Sequence, residues 1–184
     1  MGKRPTGPHR RQRTPAKEQV SIERVTRLSV FELTPLMVES RQAGLRLLER
    51  LLDEWLRGGN RFNRPGEALW IAREDRRVVG VCGLNIDPYA NSRRVGRVRR
   101  LYVSMARRRR GIGRQLVERL IMAARGTFGQ LRLRTSNPAA ARFYETLGFR
   151  RLVGGVQFTH VLNLEPNDRV MAARRVSSTA RASK

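Results

Sequence analysis

The chain has 184 residues, 40% of them hydrophobic, enough for one domain with a single core. Its 39 lysines and arginines face 15 aspartates and glutamates, a formal net charge of +24, so it attracts polyanions and repels polycations such as polyamines. The lone Cys82 argues against an intramolecular disulfide or a cysteine-rich metal site, and the lack of a long apolar span argues for a cytoplasmic protein with no membrane segment.

Residues 1–18 carry six basic and one acidic side chain, with Pro5, Pro8 and Pro15 and no apolar periodicity, and read as a disordered tail. Residues 167–184, with five basic and one acidic side chain, read the same way; the domain between, 19–166, keeps +15 of its own. Within it, Ile22 to Leu28 reads as a first strand. Ala43 to Leu56 reads as a helix burying Leu45, Leu48, Leu52, Trp55 and Leu56, ended by Gly58-Gly59. Leu69 to Arg73 and Val78 to Leu84 form a hairpin around Glu74-Asp75-Arg76, and Val95 to Val103 is the next strand.

The run Arg108-Arg109-Arg110-Gly111-Ile112-Gly113 then opens a helix whose apolar face is Ile112, Leu116, Val117, Leu120, Ile121 and Ala124. Strand, glycine turn and helix N-terminus together suit a phosphate: glycine lets the backbone approach, and the unpaired N–H groups of the first helical turn face the anion. Neither a G-x-x-x-x-G-K-[ST] loop nor a G-x-G-x-x-G fingerprint is present. Leu131 to Thr135 follows as a strand. A second helix starts with Asn137 as N-cap and Pro138 in the first turn, presents Ala140, Phe143, Tyr144 and Leu147, and stops at Gly148. Arg150 to Val153 and Phe158 to Leu164 close a mixed α/β order.

Leu101-Tyr102-Val103, the arginine-glycine turn, and Asn137-Pro138-Ala139-Ala140-Ala141-Arg142-Phe143-Tyr144-Glu145-Thr146-Leu147-Gly148-Phe149, in that order, resemble the GNAT family of acetyl-CoA-dependent N-acyltransferases. The resemblance implies an α/β fold: a mixed, mostly antiparallel central sheet with flanking helices and a splayed cofactor cleft. It implies acetyl-CoA as acyl donor, with no metal. By resemblance, Arg108, Arg109, Arg110, Gly111, Ile112, Gly113 and Arg114 hold the pyrophosphate. The backbone of Leu101, Tyr102 and Val103 pairs with the pantetheine arm, and Val103 N–H polarises the thioester carbonyl. Asn137 contacts the pantetheine or a water, Ala140 and Phe143 wall the cofactor, and Tyr144 protonates the departing thiolate. The acceptor would approach over Met37 to Ala43 and the loop Asn85 to Arg94, where Asp87 and Tyr89 are candidate contacts.

One departure bears on mechanism. Many family members carry a glutamate where this chain has Arg97, in Gly96-Arg97-Val98-Arg99-Arg100-Leu101-Tyr102-Val103. Three readings compete for the base: the acids Glu67 and Asp87, or His160, each with a structural reading beside it, or no dedicated base, with water-mediated deprotonation aided by positive surroundings that favour a neutral amine. The expected activity is acetyl transfer from acetyl-CoA to a primary amine of a small molecule or peptide, by direct attack in a ternary complex. Acceptors bearing a carboxylate or phosphate fit the charge best. The alternative is a non-catalytic acyl-CoA sensor or RNA- or ribosome-docking protein, using the basic surface and tails. A homodimer is compatible with either.

Overall fold

The computed structural model describes residues 19–164; the tails expected at 1–18 and 167–184 lie outside the described residues. In chain order the elements are β1 (Ser21–Val25), α1 (Val30–Gln42), α2 (Leu47–Leu56), β2 (Ala68–Glu74), β3 (Arg77–Ile86), β4 (Val95–Val103), α3 (Ile112–Ala124), β5 (Gln130–Leu133), α4 (Pro138–Glu145), β6 (Arg150–Arg151) and β7 (His160–Asn163). The strands form one mixed sheet in the order β1-β2-β3-β4-β5-β7-β6. Neighbours are antiparallel except β4 and β5, joined in parallel through α3. This is the expected α/β class with flanking helices.

One apolar cluster joins β3, β4 and β5 to α3 and to Tyr144 and Phe149 at the α4 end of the sheet. A second joins Leu33, Leu36, Leu48, Leu51 and Leu52 of α1 and α2 to Leu69, Val81 and Tyr102. The β2–β3 turn works because Asp75 and Arg76 both take positive φ, 47° and 66°, matching the twist of a two-residue hairpin. Among the described residues, no helix is long and apolar enough to cross a membrane.

The expected helix Ala43 to Leu56 is corrected. Two helices stand there, α1 and α2, because Gly44 adopts φ 74° and the Ser40 hydroxyl donates to Leu45 O, breaking the helical path. Leu45 and Leu56, expected inside, are 42% and 64% exposed. The segment Met37 to Ala43, expected as an approach surface, is mostly the end of α1. Its start carries the signal of a capped helix: Ser29 Oγ accepts from Glu32 N–H.

The feature that opens the sheet lies in β4. Val81 pairs with Tyr102 but Gly83 with Arg99, so Arg100 and Leu101 oppose the single residue Cys82, and Arg100 takes φ 60°. Such a bulge bends its strand. On its other edge β4 meets β5 only at Val95, Gly96 and Arg97; beyond them the two strands separate, as a splayed cleft requires.

Candidate active site

Ser104 N–H donates to Val79 O across the β3 side. Backbone groups alternate along a strand, so those of Leu101 and Val103 face the opposite, unpaired edge. There Arg108 Nε donates to Val103 O at 3.1 Å and folds the following turn over the strand end. Within the turn Arg109 and Gly111 take positive φ, 65° and 81°, and Gly111 is the N-cap of α3 without a side-chain capping bond. The first-turn N–H groups of α3 therefore carry no protein cap and lie with the partial positive end of the helix dipole.

A cleft of about 490 Å³ runs along this edge. Its walls include Leu101, Tyr102, Val103, Arg108, Arg109, Gly111, Ile112, Gly113, Arg114, Asn137, Ala140 and Phe143, residues from three separate segments. Arg110 is not on the wall; its guanidinium leans 3.6 Å from the buried Glu74 carboxylate, which also binds Arg107. Arg107, Leu45 and Leu47 join the lining and were not anticipated. Among the described residues the Arg109 side chain has no ion-pair partner, whereas Arg114 is shared between Glu118 and the Thr146 hydroxyl.

Asn137 Oδ1 accepts from Ala139 and Ala140 N–H at 2.8 and 3.3 Å, capping α4. Its oxygen is thus occupied and only its amide N–H groups remain for a ligand. Tyr144 lies behind Phe143, off the cleft wall and 7% exposed, its ring edge-on to Phe143 and Phe149. Burial, with the nearby Cys82 adding, pushes its phenol well above the ordinary value of 10. Cys82 is itself buried and its thiol is pushed up to about 12, which keeps it protonated and a poor nucleophile.

None of the residues weighed as bases lines this cleft. Glu67 accepts from Arg64 N–H and Ile86 N–H, pinning a loop. His160 is buried beneath α4, its Nδ1 2.8 Å from the Thr159 hydroxyl and its Nε2 3.6 Å from Glu145. Asp87 is fully buried: one oxygen accepts from Tyr89 N–H, and both lie 3.3–3.4 Å from Arg97 Nη1. Arg97 also donates to Gln157 O and lies over the Tyr89 ring, 59% exposed, at 4.9 Å. The arginine at the usual carboxylate position is thus a buried clamp that draws two loops together, and Asp87 is its counter-ion. Tyr89 is the member of this group open to a ligand.

Sequence reasoning missed Glu39 on α1. It accepts from Tyr102 Oη, Ser104 Oγ and Met105 N–H at 2.9, 2.8 and 2.7 Å, tying the end of β4 to α1. Burial raises its pKa, but these donors and Arg108 outweigh it, so the carboxyl sits below the usual 4.5; burial and Glu39 in turn push Tyr102 up to about 12. Among the described residues no group of three or more His, Cys, Asp or Glu is arranged to hold a metal ion.

Residues 65–151 match the family model described as Acetyltransferase (GNAT) domain. A crystal structure named for an acetyltransferase of Exiguobacterium sp. 255-15 is 30% identical, with 85% of this chain and 98% of that one aligned at a TM-score of 0.72. YhbS of Escherichia coli, a GNAT N-acetyltransferase solved with CoA, shares the fold at 17% identity and TM-score 0.62, over 84% of this chain and 86% of that one. YncA of Salmonella typhimurium, solved with acetyl-CoA, does so at 18% and 0.59, over 80% and 95%. With its splayed β4–β5 edge and glycine turn, this chain is an acyltransferase and belongs to the GNAT family of acetyltransferases.

Proposed function

We propose that the protein is an N-acetyltransferase that moves acetyl from acetyl-CoA to the primary amine of a small molecule or peptide, by direct attack with both substrates bound. The observation that carries this reading is the convergence of β4, the glycine turn and the start of α4 on one cleft at the point where the sheet opens. The residues fit the donor: uncapped N–H groups and the free Arg109 suit a pyrophosphate, and the free β4 edge suits an extended pantetheine arm. When bound, acetyl-CoA supplies an activated acetyl thioester.

Val103 N–H, on the free edge, would donate to the thioester oxygen as negative charge develops there, a contribution worth about 10²–10³ in rate in comparable sites. Phe143 and Ala140 would exclude water from the reacting end. Tyr144, held neutral by burial, would donate a hydrogen bond to the leaving thiolate. Since its phenol lies above a thiol near ~8.5, it would stabilise that charge more readily than surrender the proton outright. With Arg97 clamped to Asp87, the ammonium would lose its proton to water, helped by the positive surroundings. Tyr89 would form part of the acceptor wall.

The test is free-thiol release by the wild type and Tyr144→Phe. Turnover is expected to fall about 10²-fold in the variant while acetyl-CoA affinity stays within twofold. Equal turnover would remove Tyr144 from the acid role.

A further inference from the structure

On the α2 face of β4, one strand position before the bulge, Arg99 leaves the sheet beside a second, smaller pocket of about 140 Å³. Arg61 and Arg64 from the loop after α2 join Arg99 on its wall, and the buried Asn85, bonded to Asn60 through both side-chain amides, forms its floor. The one acidic residue on this wall, Glu67, has its carboxylate occupied by Arg64 and Ile86 N–H. Three arginines therefore line a small polar cavity whose one acidic wall residue is already occupied; Arg61 Nε donates to Trp55 O, and Arg99 has only a share of Glu54.

The positive excess continues toward the cleft. Glu54 is shared, binding Arg99 at 3.4 Å and Arg100 at 2.5 Å. Arg100 is 90% buried, and its Nε has no hydrogen-bond partner. Burial and then Arg99 hold its guanidinium below the ordinary value despite Glu54, with Arg50 adding to the repulsion. Arg100 is not on the pocket wall, but an anion beside Arg99 would offset the charge that Arg99 sets against it. From Arg99 to Val103, whose N–H is proposed to meet the thioester, is four residues, roughly 13 Å at the rise of a strand, part of which the Arg99 side chain itself can span.

We propose that the pocket formed by Arg61, Arg64, Arg99 and Asn85 is an anion subsite for the acceptor. The amine substrate carries a carboxylate or phosphate that sits among these guanidiniums, with its amino group directed along β4 toward Leu101 and Val103. This rests on the acyltransfer reading above and adds the substrate class. Guanidinium forks suit carboxylate and phosphate oxygens in pairs, and the small volume selects compact headgroups over nucleic acid.

The test uses matched amines that differ in the anion: glycine and glycinamide, 4-aminobutyrate and butylamine, phosphoethanolamine and ethanolamine. Thiol release is followed at 50 and 500 mM salt, and acetyl-CoA binding is measured in parallel. At least one anionic member is expected to exceed its neutral partner tenfold or more in kcat/KM at both salt concentrations. Arg99→Gln, and independently the exposed Arg61→Ala, should reduce that ratio to below threefold, while Arg119→Gln on the outer face of α3 leaves it unchanged. Equal use of both members, silence of every anionic amine in a protein that binds acetyl-CoA, or a ratio that survives both variants would overturn the subsite. A preference lost at 500 mM salt would overturn it too, since that reports the general field of the protein. Failure to bind acetyl-CoA would instead sink the acyltransfer reading.

Discussion

Along its free edge β4 offers backbone: the amides of Leu101 and Val103, followed by a turn whose glycines and helix N-terminus present further N–H groups. On its α2 face the same strand offers long side chains, Arg97, Arg99 and Arg100, each fastened to a carboxylate on another element. The first surface is made by local geometry and, in the function proposed above, recognises what every donor of this class shares. The second is assembled from distant segments, and it is where the proposed subsite would tell one acceptor from another. A common reaction thus rests on the main chain, and selectivity on replaceable side chains.

Breaking the second surface should leave the first working. Asp87→Ala strands the Arg97 guanidinium in the interior, and loss of one partner of such a buried pair costs about 3–5 kcal/mol. Urea unfolding should register that loss, while acetyl-CoA affinity in the folded fraction stays near wild type; a loss below 1 kcal/mol would mean Arg97 is not held by this pair. The converse change is Gly111→Ala. At φ 81° an alanine costs about 1–2 kcal/mol, strain that re-forming the turn would lower. Acetyl-CoA affinity should drop about tenfold with acceptor preference unaltered, and wild-type affinity would show that the turn tolerates a side chain there.

A smaller effect sharpens the link between the two surfaces. Glu39 is held below 4.5 in the folded protein, so it contributes stability above that pH, and the contribution fades as pH falls through its lower folded value. Replacing it by glutamine should flatten the acid side of the stability curve below about pH 4.5. An unchanged slope would assign acid sensitivity to other carboxylates.

These differences also explain what could be read from sequence. The glycine turn, α3 and the Asn137-capped α4 are local patterns, with apolar residues at helical spacing and turn residues at their ends, and most of their expected residues line one cleft, Arg110 and Tyr144 excepted. The same reading failed at α1, where Val30 and Phe31 face solvent, Pro35 sits inside the helix and only Ser29 with Glu32 marks a start. It failed again at Glu39, whose partners Tyr102, Ser104 and Met105 lie 63 to 66 residues away. Asp87 looked like a free loop acid because its cation, Arg97, belongs to the next strand, and Arg110 looked like part of the anion site because Glu74, which draws it aside, lies on β2.

The most direct test of the central claim is calorimetric titration of the full chain with acetyl-CoA at low and high salt, with ATP as a polyanion control. The account predicts saturable one-to-one binding, selective over ATP and retained at high salt, because fixed backbone donors in a cleft at a helix N-terminus are screened less than dispersed surface charge. Weak binding shared with ATP and abolished by salt would contradict it, and would leave the β4–β5 opening a groove on a basic protein with no donor site.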